Sequence, residues 1–254
     1  MVYESRGYYH SKMQNLIYVG RWLVGLVYFL LLGITLRFGL IFWKPAEIYV
    51  LVQQICRAAL RTIGIRIKVS GLDRFDHQQS YLIICNHESL LDAFICPAYI
   101  PMYFTTIELA DHFKWPLWGW MIRNWGNIPL QHGQLKSSLT SLDQAATLLK
   151  NGTSILIFPE GSRTTDGKLL SFKKGAFYLA YRAKADILPL AINGLWRAKT
   201  RGDWRLRSAN VSLNFGEPIR YSTYQHLSPD ELRNLCFETI QQLKSPVASN
   251  VLSS

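Results

Sequence analysis

Two short polar blocks hold most of the side chains that could do chemistry together. The first runs Cys85-Asn86-His87-Glu88-Ser89-Leu90-Leu91-Asp92. A histidine and an aspartate can form a dyad in which the carboxylate fixes the imidazole tautomer and stabilises the imidazolium. The other ring nitrogen is then left as a general base. On one regular helix, residues five apart sit about 140° from each other around the axis, so His87 and Asp92 can meet only across a bend. A strand ending near Asn86, a turn, and a helix capped by Ser89 would supply it. The same residues admit another reading, because Ser89-x-x-Asp92 has the pattern of a capping box and accounts for Asp92 with no chemistry. The second block is Phe158-Pro159-Glu160-Gly161-Ser162-Arg163-Thr164. Pro159 ends a strand, Gly161 lets backbone amides approach a ligand, and Arg163 offers a two-pronged donor to phosphate or carboxylate. As a turn composition alone it is ordinary.

Together, Asn86, His87 and Asp92 in an N-H-x4-D block and Phe158 to Arg163 in an F-P-E-G-[ST]-R block resemble the glycerolipid acyltransferase family, which includes bacterial 1-acylglycerol-3-phosphate acyltransferase. The segments Phe172-Lys173-Lys174-Gly175-Ala176 and Leu188-Pro189-Leu190 are similar to the family as well, so the resemblance covers residues 65 to 219. It implies direct acyl transfer from a thioester, acyl-CoA or acyl carrier protein, to the free hydroxyl of a lysolipid. With 1-acylglycerol-3-phosphate as acceptor the product is phosphatidic acid. Another lysolipid acceptor, or a catalytically silent lipid-binding membrane protein, are the alternatives. The resemblance makes His87 the base and Asp92 its orienting carboxylate. Asn86, Glu160, Gly161, Ser162, Arg163 and Lys173 become substrate-binding residues, with Glu160 and Arg163 on the acceptor head group. It implies no cofactor; the residue spacing offers no metal site, and the membrane segment near the N-terminus argues against a nucleic-acid partner. One block departs from the family's G-x-x-[FP]-[IV]-D-R, reading Gly126-Asn-Ile-Pro-Leu-Gln131-His132 here. His132 stands where the family carries a phosphate-binding arginine; it can donate to phosphate but is only partly charged near neutrality. It reads equally as a turn residue beside Gly133. A lipid hydrolase is excluded for want of G-x-S-x-G. Cys85 reads as a buried strand residue.

The elements that must carry these blocks are short β-branched runs at Ile65 to Val69, Tyr81 to Cys85, Ser154 to Phe158, Ile187 to Ile192 and Val211 to Phe215. Runs apolar on both faces belong to a buried, largely parallel sheet. Each block follows such a run, at the carboxyl end where α/β sheets place ligands. Leu139, Leu142, Ala146 and Leu149 share one helical face, ended by Asn151-Gly152. Ser228-Pro-Asp-Glu231 is a capping box opening a final helix. The expected fold is therefore α/β, a mixed, largely parallel sheet flanked by helices over residues 65–244, with a flexible tail at 245–254.

Residues 1–64 read as an N-terminal pair of membrane-associated helices. Trp22 to Trp43 is nearly unbroken apolar sequence, and as a helix it measures about 33 Å, close to the hydrocarbon thickness. Ile48 to Ile67 carries Gln53, Gln54, Arg57 and Arg61 and reads as interfacial. Arg6, Lys12 and Arg21 precede the pair, and Arg66 and Lys68 follow it, so positive charge flanks both sides. A hairpin held in one leaflet at the inner, cytoplasmic face fits that pattern. The chain has 254 residues, with 28 Lys and Arg against 17 Asp and Glu, a net charge of +11. At 49% hydrophobic residues it is no disordered polycation. Four scattered cysteines without C-x-x-C exclude a disulfide framework or zinc site. Arg197, Lys199, Arg201, Arg205 and Arg207, interleaved with Trp196 and Trp204, suit a solvated loop, a nucleic-acid patch or anionic headgroups, and the N-terminal segment favours the headgroups. Trp115, Trp118, Trp120 and Trp125 suit an acyl channel, the interface or a buried helix.

Overall fold

The computed structural model describes residues 2–131 and 135–244, with side chains from 13–131 and 139–244. The helices are α1 (Val2–Phe42), α2 (Tyr49–Thr62), α3 (Asp92–Tyr99), α4 (Trp118–Trp125), α5 (Leu135–Lys150), α6 (Gly175–Ala183), α7 (Tyr221–Tyr224) and α8 (Pro229–Lys244). The strands are β1 (Ile65–Ser70), β2 (Leu82–Cys85), β3 (Phe104–Leu109), β4 (Ile128–Leu130), β5 (Ser154–Ile157), β6 (Ile187–Asn193) and β7 (Ala209–Phe215). They form one seven-stranded sheet in the order β1-β7-β6-β2-β5-β3-β4. Every neighbouring pair is parallel except β6 with β7. The mixed, largely parallel sheet expected from the sequence is present.

Alternation along β2 divides the core in two, because successive strand residues face opposite sides. Ile83 and Cys85 join the cluster under α1, α2 and α3, while Leu82 and Ile84 join the one under α5, α6 and α8. All four are fully buried. The sequence runs underestimate the sheet by two strands: β3 carries Thr105, Thr106 and Glu108, and β4 is three residues around Pro129, so neither reads as an apolar run. Leu139, expected on the inner face of α5, is 45% exposed. That helix meets the sheet from Ser141 onward, where the hydroxyl donates to Pro129 O at 2.6 Å, and it buries Ala146 and Leu149 as expected, together with Ala145, with Leu142 packed beside them. The capping box of α8 is closed in both directions, Ser228 N to Glu231 Oε2 at 2.7 Å and Glu231 N to Ser228 Oγ at 3.3 Å.

The second apolar stretch is corrected. It ends at Gly64, with Ile65 already in β1, and α2 turns Tyr49, Val52, Gln53, Ile55, Cys56, Ala59 and Leu60 inward. Its polar residues serve protein carbonyls: Gln53 Nε2 donates to Ile100 O at 2.8 Å and Arg57 Nε to Ala98 O at 2.6 Å. Val50 and Leu51 remain exposed on the other face.

Helix α1 lies along the domain. Arg21 Nη1 donates to Leu206 O at 3.1 Å, Trp22 Nε1 to Trp204 O at 2.7 Å, and the Tyr28 and Thr62 hydroxyls are 3.2 Å apart. Further on, Phe29 meets the Trp118 ring and the Leu117 side chain fits against Gly33. Leu23, Leu26, Val27, Leu30, Leu31, Ile34, Phe38 and Ile41 form the opposite, exposed stripe. Met13–Phe42 is long and apolar enough to cross a membrane, and an apolar face this large marks a membrane-associating helix.

Candidate active site

The bend that the dyad requires is built by Asn86. After β2 ends at Cys85, the Asn86 side chain continues the ladder to β6, Nδ2 donating to Ile192 O at 2.9 Å and Oδ1 accepting from Ile192 N at 2.8 Å. The main chain is then free to turn through residues 87–91 before α3 begins at Asp92. Across this turn His87 Nδ1 lies 2.6 Å from Asp92 Oδ2. The same oxygen accepts Glu88 N at 2.8 Å and Ser89 N at 3.1 Å. An oxygen already holding two amide protons accepts from a third donor, so Nδ1 carries the proton and Nε2 is the basic nitrogen. Among the described residues no protein group takes Nε2. The imidazole stacks on Phe158, ring centroids 4.3 Å apart and 22° between planes, and is 25% exposed, whereas Asp92 is 1% exposed. Both readings of Asp92 are thus realised in part. The carboxylate reaches back to the Ser89 amide as a capping box would, but the Ser89 hydroxyl donates to Lys199 O at 3.0 Å instead of capping α3.

The second block follows β5 and is laced to the first. Glu160 Oε1 accepts His87 N and Oε2 accepts Leu170 N, both at 2.6 Å, while Thr164 N donates to His87 O at 3.0 Å. Burial pushes the Glu160 carboxyl up from its ordinary range, against the pull of those two amides. Glu160, expected on the acceptor head group, is buried with both oxygens engaged by backbone, and Asn86, expected to touch substrate, is buried and engaged by Ile192. Both are struts. Gly161 has φ +68°, and a Cβ there would lie 2.5 Å from Lys173 Nζ, so the glycine admits the lysine beside the turn. Ser162 and Arg163 are half-buried next to it. Among the described residues Arg163 has no carboxylate within 4.0 Å. Burial and the charge of Arg163 hold the Lys199 ammonium below its ordinary value. Asp203 draws the Lys199 charge back in part, but that acid is itself held by Arg205 and Arg207, and two neighbouring cations make a place for an anion. His132 lies outside the described residues.

One structural partner left no trace in the sequence. Glu88, fully buried, pairs through Oε1 with Lys244 Nζ at 2.5 Å and accepts Trp196 N on Oε2 at 3.1 Å. Lys244 also donates to Ile192 O at 3.0 Å, so the end of α8 clamps the loop that carries His87. Burial pushes the Glu88 carboxyl up and the Lys244 charge draws it back. In the sequence Lys199 belongs only to a basic segment, and nothing there marks it as a neighbour of Arg163. In that segment Arg205 and Arg207 both bind Asp203, at 2.9 and 2.7 Å. Of the tryptophans, Trp118 donates to Glu108 and Trp125 to Phe104 O, while Trp115 is exposed. The Cys85 thiol is fully buried and pushed well up by that burial, which leaves it no nucleophile.

Residues 66–193 match the Acyltransferase family profile. A 1-acyl-sn-glycerol-3-phosphate acyltransferase of Cocos nucifera is 28% identical over 170 residues, covering 66% of this chain and 54% of the relative. The chloroplastic 1-acyl-sn-glycerol-3-phosphate acyltransferase LPAT1 of Arabidopsis thaliana is 31% identical over 159 residues, covering 62% of this chain and 44% of its own. The match thus spans about half the length of these relatives. Among solved structures, the 1-acyl-sn-glycerophosphate (LPA) acyltransferase PlsC from Thermotoga maritima superposes with TM-score 0.77 at 23% identity, over 91% of this chain and 95% of that one. The two share a fold.

Proposed function

The chain belongs to the acyltransferase family, and we propose that it transfers a fatty acyl group from an acyl thioester to the free hydroxyl of 1-acylglycerol-3-phosphate, giving phosphatidic acid. The observation that carries the reading is the His87–Asp92 pair, joined through Nδ1 at 2.6 Å with Nε2 left to act. His87 Nε2 takes the proton of the acceptor hydroxyl as that oxygen attacks the thioester carbonyl. Asp92 holds the imidazolium that results. Collapse of the tetrahedral adduct breaks the C–S bond, and the thiolate leaves with the proton returned by His87, so no enzyme nucleophile is needed. Arg163, with Lys199 and Lys173 near it, takes the acceptor phosphate. The thioester is acyl-CoA or acyl carrier protein; the net charge of +11 favours an acidic carrier.

The contacts of α1 support a one-leaflet attachment at the cytoplasmic face. They run from Tyr18 on Trp204 to Gly39 on Ile48, a length of about 32 Å, so a helix crossing the bilayer would carry the domain in with it. The test is purified full chain in mixed micelles with a labelled acyl thioester and a panel of lysolipids. Labelled phosphatidic acid from 1-acylglycerol-3-phosphate, lost by at least about 10²-fold in His87→Ala, is expected. Transfer to a different lysolipid alone would move the acceptor assignment, and activity in His87→Ala above a tenth of wild type would end the base assignment.

A further inference from the structure

A cavity of about 540 Å³ opens where β1 and β7 begin, lined by Arg21, Gly64, Arg66, Ser208, Ala209 and Asn210. Because β7 runs against β6, this end of β1 and β7 lies on the same side of the sheet as the carboxyl ends of β2, β5 and β6. None of its residues belongs to the two catalytic blocks. Arg66 and Asn210 are exposed partners across the β1–β7 ladder. Arg21 enters from α1, held by its bond to Leu206 O. Gly64, at φ +89°, sits beside Arg21 and Ser208, since a Cβ there would lie in ordinary contact 3.5 Å from Arg21 Nη2 and crowd Ser208 Cβ at 3.2 Å. Among the described residues neither arginine has a carboxylate within 4.0 Å. The acid nearest in sequence, Asp203, is held by Arg205 and Arg207.

Two uncompensated guanidiniums beside two neutral polar side chains suit an anion with several oxygens. The surroundings say where that anion comes from. Trp22, next to Arg21, binds Trp204 O, Trp204 is itself half-exposed, and Leu23 and Leu26 continue the apolar stripe beyond them. Interfacial tryptophans beside an apolar stripe mark headgroup depth, so the cavity opens onto lipid headgroups. We propose that this cavity binds the phosphate of an anionic membrane phospholipid between Arg21 of α1 and Arg66 of β1, pinning the membrane helix to the sheet. The lipid is neither acceptor nor product at His87, and the inference stands whatever reaction the dyad performs.

Native mass spectrometry of the full chain in detergent, supplied with dioleoylphosphatidylglycerol, tests it. Wild type is expected to retain one lipid. Arg66→Gln, which breaks no side-chain hydrogen bond among the described residues, should reduce occupancy about fivefold, as should Arg21→Gln. Arg61→Gln, removing an exposed arginine of α2 outside the cavity, should keep it. His87→Ala should keep it too, so a failure of the acyl-transfer reading is told apart from a failure here. Equal loss in Arg61→Gln would mean diffuse attraction and overturn the site. Equal retention of dioleoylphosphatidylcholine, or retention of inorganic phosphate with no phosphatidylglycerol retained when both are supplied, would overturn the anionic lipid as its occupant.

Discussion

Asp92→Asn separates the two roles that one carboxylate oxygen performs. Oδ2 accepts from His87 Nδ1, Glu88 N and Ser89 N, while Oδ1 is buried and has no partner among the described residues. In the asparagine variant the amide oxygen keeps the three donors only if its NH2 takes the place of Oδ1, a buried donor with nothing to bind. That costs about 1–3 kcal/mol, and each of the two backbone bonds weakens by about 1 kcal/mol on losing the charge. Relief of the buried charge offsets part of the sum, leaving a net loss of about 2–4 kcal/mol, or a fall in Tm of about 4–16 °C for a domain of this size. The rate should fall by about 10² to 10⁴, since the imidazolium formed during transfer loses its counter-charge. His87→Ala leaves Oδ2 with its two amides, so it should lose the rate with a smaller fall in Tm. Thermal unfolding in detergent and initial-rate acyl transfer measure both. A variant with the lowered Tm and a rate within tenfold of wild type would reduce Asp92 to a brace for the turn. An unchanged Tm would sink the hydrogen-bond accounting itself.

Two further outcomes follow from buried carboxylates around the same turn. Lys244→Met strands Glu88 without its counter-charge and should cost about 3–5 kcal/mol, most of it recovered in Glu88→Gln/Lys244→Met; a double variant as unstable as the single one would show that the pair itself carries the stability. Glu160 has its carboxyl raised above the ordinary 4.5 by burial, so the folded chain holds that proton more tightly than the unfolded one. Stability from this group is full below about 4.5 and falls as pH rises through the raised value. Glu160→Gln does not titrate, so the stability gap between wild type and variant should narrow from pH 4.5 towards neutrality; a gap that widens in thermal unfolding over that range contradicts the burial argument.

How far the sequence carries is set by what each element buries. The strands bearing the two blocks are apolar on both faces, so β2, β5 and β6 stand out without help from context, and each block is found at the end of one of them. Strand β3 keeps Glu108 and two threonines because its later residues are half-buried and serve side chains such as Trp118 and Asn127. No periodicity marks it. Helix α3 is eight residues with Pro97 inside it, too short and too irregular to show a face. Helix α2 misled for a different reason: polar residues on an apolar helix suggest water, yet Gln53 and Arg57 are turned to the carbonyls at the end of α3. Lys244 carried no signal at all, because its partner Glu88 lies across the whole domain in sequence and the pairing exists only once α8 has packed.

The polar residues of the two blocks divide by what they satisfy. A turn that leaves the end of a buried strand exposes amides and carbonyls that water cannot reach, and these must be paired by something. Asn86 pairs with both groups of Ile192, Glu160 takes the amides of His87 and Leu170, and Asp92 takes those of Glu88 and Ser89. These three residues therefore read as chemistry in the sequence while acting first as scaffold in the fold. What remains facing outward is small: the far nitrogen of His87, the Arg163 and Lys199 cations, and the Gly161 turn with Lys173 beside it. Substitutions at the struts should move rate and stability together, whereas substitutions at His87 or Arg163 should move rate or acceptor KM at nearly constant stability. That division, and not the motif as a unit, is what the geometry adds to the spacing of the residues.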